Sequence, residues 1–240
     1  MQSKKVAIVI PALDEEATIG RVVTELCDAV RATGAEVVAF VVDNGSTDET
    51  AQRARAAGAT IVPEPQRGYG RACLTGLSAL PRIDIVLFAD GDGSDDPAFV
   101  AALLEPLCTG RADLVIGSRE RGLQQGLVER GALAPAQRLG NKIASVALAV
   151  GYRQPTTDLG PFRAIDAHAL ASLKMDDQGF GWTVQMQARA ARAGLRTVEV
   201  PVAYRRRRHG KSKVSGDVKA SFQAGAIILW TLLREGVARR

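Results

Sequence analysis

The sequence predicts an α/β fold in which a mostly parallel sheet carries helices on both faces, with an amphipathic helix at the C-terminus. Two observations predict it. Apolar runs alternate with helix-like segments through the first half of the 240-residue chain, which is the rhythm of repeated βαβ units. The runs are also continuous rather than alternating, as in "VAIVIP" at residues 6–11. Continuous runs are typical of parallel strands that are buried on both sides.

The elements of the first half follow in order along the chain. Apolar runs predict strands at residues 6–11, 37–43, 60–62, 84–90 and 113–118. Helices are predicted between them, at residues 18–32, within 45–58, within 67–80 and at 97–107. The first helix has an apolar face formed by Ile19, Val22, Val23, Leu26 and Val30. The second one ends at a glycine, Gly58, which is a common helix stop.

The second half is less regular. Residues 119–137 are polar and contain several glycines, so a mobile loop is expected there. Helices are predicted at residues 141–152, 181–194 and 217–234, and a strand at 197–204. The expected organisation is one domain over residues 1–216, followed by the C-terminal amphipathic helix at residues 217–240.

Composition excludes several classes of protein. With 46% hydrophobic and 24% charged residues the chain is globular and not disordered. Its cysteines, Cys27, Cys73 and Cys108, lack the spacing of a metal site or a disulfide framework, which fits a reducing compartment. The apolar run before Pro11 is too short for a signal peptide, so a cytoplasmic protein is expected.

Charge divides the chain into two halves. Residues 1–120 hold 11 Lys and Arg against 18 Asp and Glu, a net of −7. Residues 121–240 hold 20 against 8, a net of +12. An acidic half suits a metal and a basic half suits phosphates or an anionic surface. Charges spread over solvated faces are the alternative interpretation.

The most informative stretch is "FADGDGSDDP" at residues 88–97, where four aspartates follow an apolar strand. Ligands of parallel sheets bind beyond the carboxyl ends of the strands. Asp90 and Asp92 have the i, i+2 spacing of a site for a hard cation such as Mg²⁺ or Mn²⁺, which takes one or two carboxylates and completes its shell with water and phosphates. Asp-Gly pairs are equally suited to a solvated turn, so spacing alone leaves both interpretations open.

Five segments of the chain resemble the family 2 glycosyltransferases of the GT-A fold, in the order and spacing of that family: "IVIPALDEEATI", "VVDNGSTDET", "RGYGRA", "FADGDGSDDP" and "VIGSR". The branch that the chain resembles most is the dolichyl- or polyprenyl-phosphate mannose and glucose synthases. The resemblance extends to about Gly216. It implies an inverting, metal-dependent transfer of a hexose from a nucleotide-diphosphate sugar, of the GDP-mannose or UDP-glucose type, to a polyprenyl phosphate.

The resemblance also assigns residues to roles. It implies that nucleotide binding involves Pro11, Ala12, Leu13, Glu15, Asp43, Arg67, Asp90 and Ser212. It implies that the metal is held by Asp90 and Asp92, with Ser94 at a position where the family often has glutamine. It implies catalytic roles for Asp92, Arg119, Asp158, Arg207 and Lys213. Each has a purely structural alternative: Pro11, for example, could simply end a strand, and Arg119 could form a surface ion pair.

Two of these roles depend on the acceptor. Arg207, Ser212 and Lys213 match a basic loop that closes over the phosphates in the family. A phosphate monoester acceptor is largely dianionic at neutral pH and needs no general base. A hydroxyl acceptor needs a carboxylate base, for which Asp158 and Asp95 are the candidates.

The C-terminal segment predicts a membrane contact. Residues 222–233, "FQAGAIILWTLL", are uncharged and are followed by arginines. They are too few for the roughly 20 residues that span a bilayer. An interfacial helix, or a contact with a second copy in a homo-oligomer, is expected instead. The expected location is therefore the inner face of the cell membrane, with an anionic lipid surface as partner.

Other functions explain less of the sequence. A nucleotidyltransferase usually has a basic, glycine-rich stretch after its first strand, where this chain has the acidic "PALDEEATI". A nucleic-acid-binding module would use the basic "RRRRHGKSK" at residues 205–213, but aromatic residues are not interleaved there and the acidic half is left unexplained. We therefore expect no nucleic-acid partner. A non-catalytic descendant would have no need for Asp90 and Asp92.

Overall fold

The structure is a computed structural model that describes residues 3–207, residue 227 and residues 230–236. Its strands are β1 Lys5–Ala12, β2 Glu36–Asp43, β3 Thr60–Pro63, β4 Ile85–Phe88, β5 Leu114–Ser118, β6 Arg163–Asp166 and β7 Thr197–Pro201. Its helices are α1 Ile19–Ala32, α2 Thr50–Ala56, α3 Tyr69–Ser78, α4 Val100–Cys108, α5 Arg119–Gln124, α6 Pro135–Tyr152, α7 Ala167–Leu173 and α8 Trp182–Arg192.

The strands form one seven-stranded sheet in the order β3-β2-β1-β4-β6-β5-β7. Every strand pair is parallel except those of β6, which runs antiparallel to β4 and β5. The mostly parallel sheet is thus confirmed, and β6 is the strand that the sequence did not predict. Only four residues long, it begins at Arg163, which is fully buried. A short strand that opens on a buried arginine lacks the apolar run by which the others are recognised.

Helices cover both faces of the sheet, as predicted. On one face α1 and α4 bury Ile19, Leu26 and Leu103 against the strands. On the other face α7 and α8 bury Leu170 and Trp182. A third cluster joins α6, α8 and the C-terminal helix.

The prediction of a mobile loop at residues 119–137 is wrong at both ends of this segment. Helix α5 starts directly after β5, because Ser118 Oγ caps it by accepting the N–H of Arg121 (3.1 Å). Helix α6 starts at Pro135, six residues before the predicted start, and proline is favoured at a first helical position. Only the segment between the two helices lacks helical structure.

The C-terminal helix packs against its own domain. Residue 227 and residues 230–236 are helical, and the predicted part before residue 227 lies outside the described residues. Leu232 is buried, and its carbonyl accepts the Tyr152 hydroxyl (2.7 Å). Glu235 is buried too and pairs with Arg189 (2.7 Å). Trp230 stays 66% exposed on the other side. Among the described helices, none is long and apolar enough to cross a bilayer.

Candidate active site

The carboxyl ends of β1, β2, β4 and β5 meet at one edge of the sheet, because these strands run in the same direction. Ala12 at the end of β1 lies beside Asp43 at the end of β2. Asp90 follows β4 and Arg119 follows β5. This edge is where a doubly wound sheet binds its ligands, and most of the site residues predicted from the sequence lie along it.

The loop after β1 is fastened to the loop after β2. Asp14 adopts a left-handed conformation (φ 50°) and donates its N–H to Ser46 Oγ (3.0 Å), while its carboxylate accepts the N–H of Thr47 (2.8 Å). Next to it, the N–H of Glu15 donates to Thr50 Oγ1 (2.8 Å). Segment 11–15, which holds the predicted Pro11, Ala12, Leu13 and Glu15, is therefore fixed before any ligand arrives.

Asn44 holds the segment of residues 64–68 in place, a role that the sequence did not reveal. Its amide donates to the carbonyls of Glu64 (3.0 Å) and Gln66 (2.7 Å), and its carbonyl accepts the N–H of Gly68 (2.9 Å). These bonds hold the segment that carries Arg67, which is exposed. Asp43 precedes Asn44, is half-buried and accepts the N–H of Ser46 (3.0 Å).

The acidic turn after β4 is held by backbone donors. Asp95 is buried and accepts the N–H of Asp90 (3.0 Å). The N–H of Ser94 donates to Asp92 Oδ1 (2.9 Å), and the buried Thr18 donates its hydroxyl to the Gly91 carbonyl (2.8 Å). The backbone of Ser94 thus orients Asp92. That the Ser94 hydroxyl binds a metal stays a prediction.

Burial and the proximity of other carboxylates disfavour the charged forms of Asp90 and Asp95. Burial, with the charges of Asp95 and Asp92, raises the pKa of Asp90 well above its usual value. Burial, with the charge of Asp92, raises the pKa of Asp95 to about 7. A cation would relieve both effects, so the cluster has the electrostatic character of a cation site. Asp90 and Asp92 could supply two ligands, and the described residues contain no group of three acidic, His or Cys side chains placed to hold a metal. Two carboxylates suit a cation that is completed by phosphates and water.

The raised pKa values make the metal-free protein sensitive to pH. Asp95 binds its proton more tightly when folded, so the stability that this provides is complete below about pH 4 and is lost as pH rises through about 7. We expect the melting temperature in EDTA to fall by about 5 °C or more between pH 5 and pH 8. Asp95→Asn should reduce the fall, and the exposed control Asp28→Asn should not. A melting temperature that does not depend on pH in EDTA would contradict the charge crowding.

Arg119 and Asp158 form a buried ion pair beside the acidic turn. The Asp158 carboxylate accepts from Arg119 Nε (2.8 Å), from its terminal nitrogen (2.7 Å) and from its backbone N–H (2.7 Å). Only 1% of the Asp158 side chain is exposed, and the Tyr204 ring lies 5.2 Å from the guanidinium carbon. Burial lowers the pKa of Arg119, but Asp158 more than offsets this and raises it above its usual value. Asp158 is arranged to orient Arg119, and its role as a base stays a prediction.

Two buried residues that the sequence analysis did not single out support this pair. Glu199 accepts the hydroxyl of Thr156 (2.7 Å) and the N–H of Thr157 (2.7 Å), just before Asp158. Arg163 donates to the carbonyl of Gly160 (3.0 Å), just after it. Glu199 acts on a segment more than forty positions away, whereas Arg163 lies only three residues after Gly160. A glutamate within the predicted strand at residues 197–204 is the one signal in the sequence that could have drawn attention to Glu199.

Arg207 reaches the acidic turn from the end of the described range 3–207. Its Nε lies 3.2 Å from Asp92 Oδ2, and its terminal nitrogen pairs with Glu15. The structure therefore brings together Glu15, Asp90, Asp92, Arg119 and Arg207, whose charges act on one another. The predicted Ser212 and Lys213 lie outside the described residues.

A cleft of about 550 Å³ lies between α5, α6 and residues 155–157. Its lining includes three basic side chains, Arg121, Arg138 and Lys142. Arg121 pairs with Glu199 (3.1 Å) and Arg138 with Glu120 (3.2 Å). The lining also includes apolar atoms of Leu139 and Val146. The cleft adjoins the buried ion pair along the chain, since Glu120 and Thr157 in its lining are the neighbours of Arg119 and Asp158. An anion with an apolar tail would suit such a lining.

Comparisons with known proteins agree with this geometry. The family described as Glycosyl transferase family 2 matches residues 7–170. An uncharacterized glycosyltransferase of Mycobacterium tuberculosis is 37% identical over 226 residues, covering 93% of this chain and 96% of the relative. The undecaprenyl-phosphate mannosyltransferase of Micrococcus luteus is 34% identical over 231 residues, covering 89% of each chain.

Solved structures show the same architecture. Glucosyl-3-phosphoglycerate synthase of Mycobacterium tuberculosis, in complex with Mn²⁺, UDP and glucosyl-3-phosphoglycerate, is 27% identical with a TM-score of 0.75. The match covers 97% of this chain and 80% of the synthase. The same synthase with Mg²⁺ and UDP has a TM-score of 0.76, at 26% identity, over 97% of this chain and 79% of the synthase. The GT-A fold that the sequence predicted is confirmed.

Proposed function

Because this chain is a glycosyltransferase that belongs to family 2, we propose that it transfers a hexose from a nucleotide-diphosphate sugar to a polyprenyl phosphate. The donor is of the UDP-glucose or GDP-mannose type. The observation that carries the proposal is the juxtaposition of Asp90 and Asp92 with two arginines, Arg119 and Arg207, at the carboxyl edge of the sheet. Acidic groups for a cation and basic groups for a diphosphate are the two requirements of this chemistry.

The residues divide the work by charge. Asp90 and Asp92 would hold Mg²⁺ or Mn²⁺, which when bound supplies positive charge to the diphosphate. The cradle of residues 11–15, with Asp43, fixes the base and ribose, so that the sugar is presented at the acidic turn. Arg119, held in place by Asp158, provides a fixed positive charge for the negative charge that develops on the leaving diphosphate.

The reaction needs no proton transfer on the acceptor side. A phosphate oxygen of the acceptor forms the new bond to the anomeric carbon as the bond from that carbon to the diphosphate oxygen breaks, with inversion. The electron pair of the broken bond stays on the nucleoside diphosphate. A phosphate monoester with a second pKa near about 6 is mostly dianionic at neutral pH. This fits a site in which both oxygens of Asp158 are bonded to Arg119.

The cleft beside α5 and α6 supports a lipid phosphate as acceptor. Lys142 supplies positive charge in its lining, where Arg138 is paired with Glu120 (3.2 Å), and Leu139 and Val146 supply apolar surface. These two apolar residues also belong to a stripe that runs along the outer side of α6. We call it the outer α6 face: Leu139, Ile143, Val146 and Val150, which are 62%, 47%, 55% and 80% exposed. Exposed apolar side chains beside basic ones are typical of helices that lie in a membrane interface.

The membrane contact is therefore proposed for the outer α6 face, and not for the C-terminal helix alone. Leu232 and Glu235 of that helix are buried against the domain, and Trp230 and Leu233 are the exposed apolar side chains of residues 230–236. A homo-oligomer formed through this helix is a further proposal, and the exposed Trp230 is the side chain available for it. Peripheral attachment to the inner face of the cell membrane follows from the proposed acceptor.

Adding charge to the outer α6 face tests the membrane contact. We expect the double variant Ile143→Glu/Val150→Glu to bind vesicles with anionic phospholipid about tenfold or more weakly, because it replaces apolar contact with repulsion. Transfer to vesicle-borne polyprenyl phosphate should fall in parallel, while UDP or GDP binding with Mn²⁺ is unchanged. Val38→Glu, on the 43% exposed Val38 of β2, is the matched control. Vesicle binding by the double variant equal to that of the control would exclude this face.

A soluble hydroxyl acceptor is the second candidate, and the likeness to glucosyl-3-phosphoglycerate synthase favours it. It would need a general base, for which Asp95 and Asp158 are the candidates. The raised pKa of Asp95 would suit a base, but its carboxylate is buried and accepts the N–H of Asp90.

One assay distinguishes the two acceptors. The full chain is given UDP-glucose or GDP-mannose with Mn²⁺, and either polyprenyl phosphate in vesicles or 3-phosphoglycerate in solution. The proposal expects a glycosyl phosphate that is cleaved by mild acid, formed only with the lipid. Efficient transfer to 3-phosphoglycerate together with inactivity toward the lipid would replace it with the second candidate.

A further inference from the structure

Arg207 lies against Asp92, one of the two carboxylates proposed to hold the metal. Asp92 Oδ1 accepts the N–H of Ser94 (2.9 Å), and Asp92 Oδ2 faces Arg207 Nε at 3.2 Å. The same guanidinium pairs with the buried Glu15. Both oxygens of Asp92 are thus engaged, one by a backbone donor and the other by a cation that belongs to the chain.

The position of Arg207 is set by the segment before it. The N–H of Arg205 donates to the Ser94 carbonyl (2.9 Å), and the Arg205 side chain pairs with Asp96 (2.7 Å). Tyr204 forms a β-bridge with Asp95. Residues 204 and 205 are therefore attached to the acidic turn. This attachment places Arg207, two residues further on, next to the carboxylate of Asp92.

The contact between Arg207 Nε and Asp92 Oδ2 (3.2 Å) is an ion pair. A divalent cation bound to the same carboxylate would lie a few ångströms from the guanidinium, where like charges repel strongly at low dielectric. Binding of the cation therefore weakens the attraction of Asp92 for Arg207. A displaced arginine retains its charge, and a diphosphate that arrives with the cation offers it a new bidentate partner.

We propose that Arg207 is a stand-in cation that competes with the divalent metal for Asp92 in the nucleotide-free protein and transfers to the diphosphate when metal and nucleotide bind together. This inference rests on the proposed function and adds a binding order to it. The metal alone binds weakly, because it must displace Arg207 from Asp92 and the guanidinium gains no new partner. Metal and nucleotide together bind tightly, because the displaced guanidinium gains a partner. Arg207 is then the residue that couples the two affinities.

Removing the charge of Arg207 tests the competition. Mn²⁺ binding is measured by electron paramagnetic resonance titration at fixed pH and ionic strength, first with no nucleotide and then with UDP or GDP. We expect Arg207→Gln to bind Mn²⁺ alone about tenfold more tightly than the parent, and the gain in Mn²⁺ affinity from nucleotide to shrink by a similar factor or more. Arg207→Lys, which keeps the charge, should retain most of the weak binding of the metal alone.

A neighbouring arginine provides the matched control. Arg206 is exposed, and its backbone N–H donates to Glu129 (2.8 Å). Arg206→Gln makes the same change in net charge one position away and should bind Mn²⁺ as the parent does. If Arg207→Gln binds Mn²⁺ alone no more tightly than Arg206→Gln does, the competition is overturned and the proposed function stands. If the parent binds no Mn²⁺ with UDP or with GDP, the proposed function itself fails.

Discussion

Asp92→Asn is expected to lower the transfer rate about a thousandfold or more and to abolish metal-dependent nucleotide binding. Asn keeps the shape of the side chain and can still accept the N–H of Ser94, so the turn should survive. What it loses is the negative charge that faces Arg207 and that we propose binds the metal. Nucleotide binding is followed by calorimetry with and without Mn²⁺, and transfer by product formation.

A second aspartate of the same turn provides the control. Asp96 caps the following 3-10 turn by accepting the N–H of Ala98 (3.1 Å) and pairs with Arg205. Asp96→Asn changes the same charge four residues away and should retain most of the activity, because the N–H of Arg205 still donates to the Ser94 carbonyl (2.9 Å) and Tyr204 keeps its bridge to Asp95. Asp92→Asn protein that binds nucleotide with Mn²⁺ as well as Asp96→Asn does would remove Asp92 from the metal site.

Arg119→Met is expected to produce the largest loss of stability, about 3–5 kcal/mol in the free energy of unfolding. The reason is the partner that it leaves behind. Asp158 is 1% exposed and would retain a buried charge with no counter-ion. The double variant Arg119→Met/Asp158→Leu removes both charges and should recover much of the loss, because replacing a buried pair with apolar residues is often neutral. Both variants should be inactive, since neither offers a positive charge to the diphosphate.

Arg196→Met is the matched surface control for this measurement. Arg196 forms a similar two-pronged pair with Asp113 (2.6 and 3.0 Å), but its side chain is 57% exposed. Its loss should cost less than about 1 kcal/mol. Denaturant unfolding in EDTA gives the free energies. Equal losses for Arg119→Met and Arg196→Met would show that burial of the first pair does not matter.

The sequence predicted those parts of the fold that rest on local patterns. The parallel strands β1, β2, β4 and β5 were found because each is a continuous apolar run, and α1 because its apolar residues recur at helical spacing. Strand β6 was not, since its stability comes from the strands on either side of it and from the bonds made by the buried Arg163. Helix α5 was missed because one capping serine outweighs a polar, glycine-containing sequence.

The same division holds at the site. Asp90 and Asp92 could be found because their spacing and their place after a strand are local. Asn44, Glu199 and Tyr204 could not, since each acts on residues that are distant in the sequence. Glu199 lies more than forty positions from Thr156, whose hydroxyl donates to it. The ring of Tyr204 lies against the guanidinium of Arg119, and β6 and β7 separate these two residues in the sequence. A local pattern in a single sequence cannot show that residues so far apart are in contact.

The reversed direction of β6 has a consequence for how such an enzyme can change. Because β6 runs against β5, the chain leaves the sheet at Ser118 and returns at Phe162, whose carbonyl accepts the N–H of Gly117 (2.8 Å). The segment between Ser118 and Phe162 contains α5 and α6 and lines the cleft. Its two ends are in contact, and the Arg119–Asp158 pair joins them. The length of such a closed segment affects stability only slowly. With the acceptor bound in this cleft as proposed, acceptor preference can diverge by rebuilding the part of the segment beyond the Arg119–Asp158 pair, while that pair and the strands and loops proposed to bind the donor are inherited unchanged.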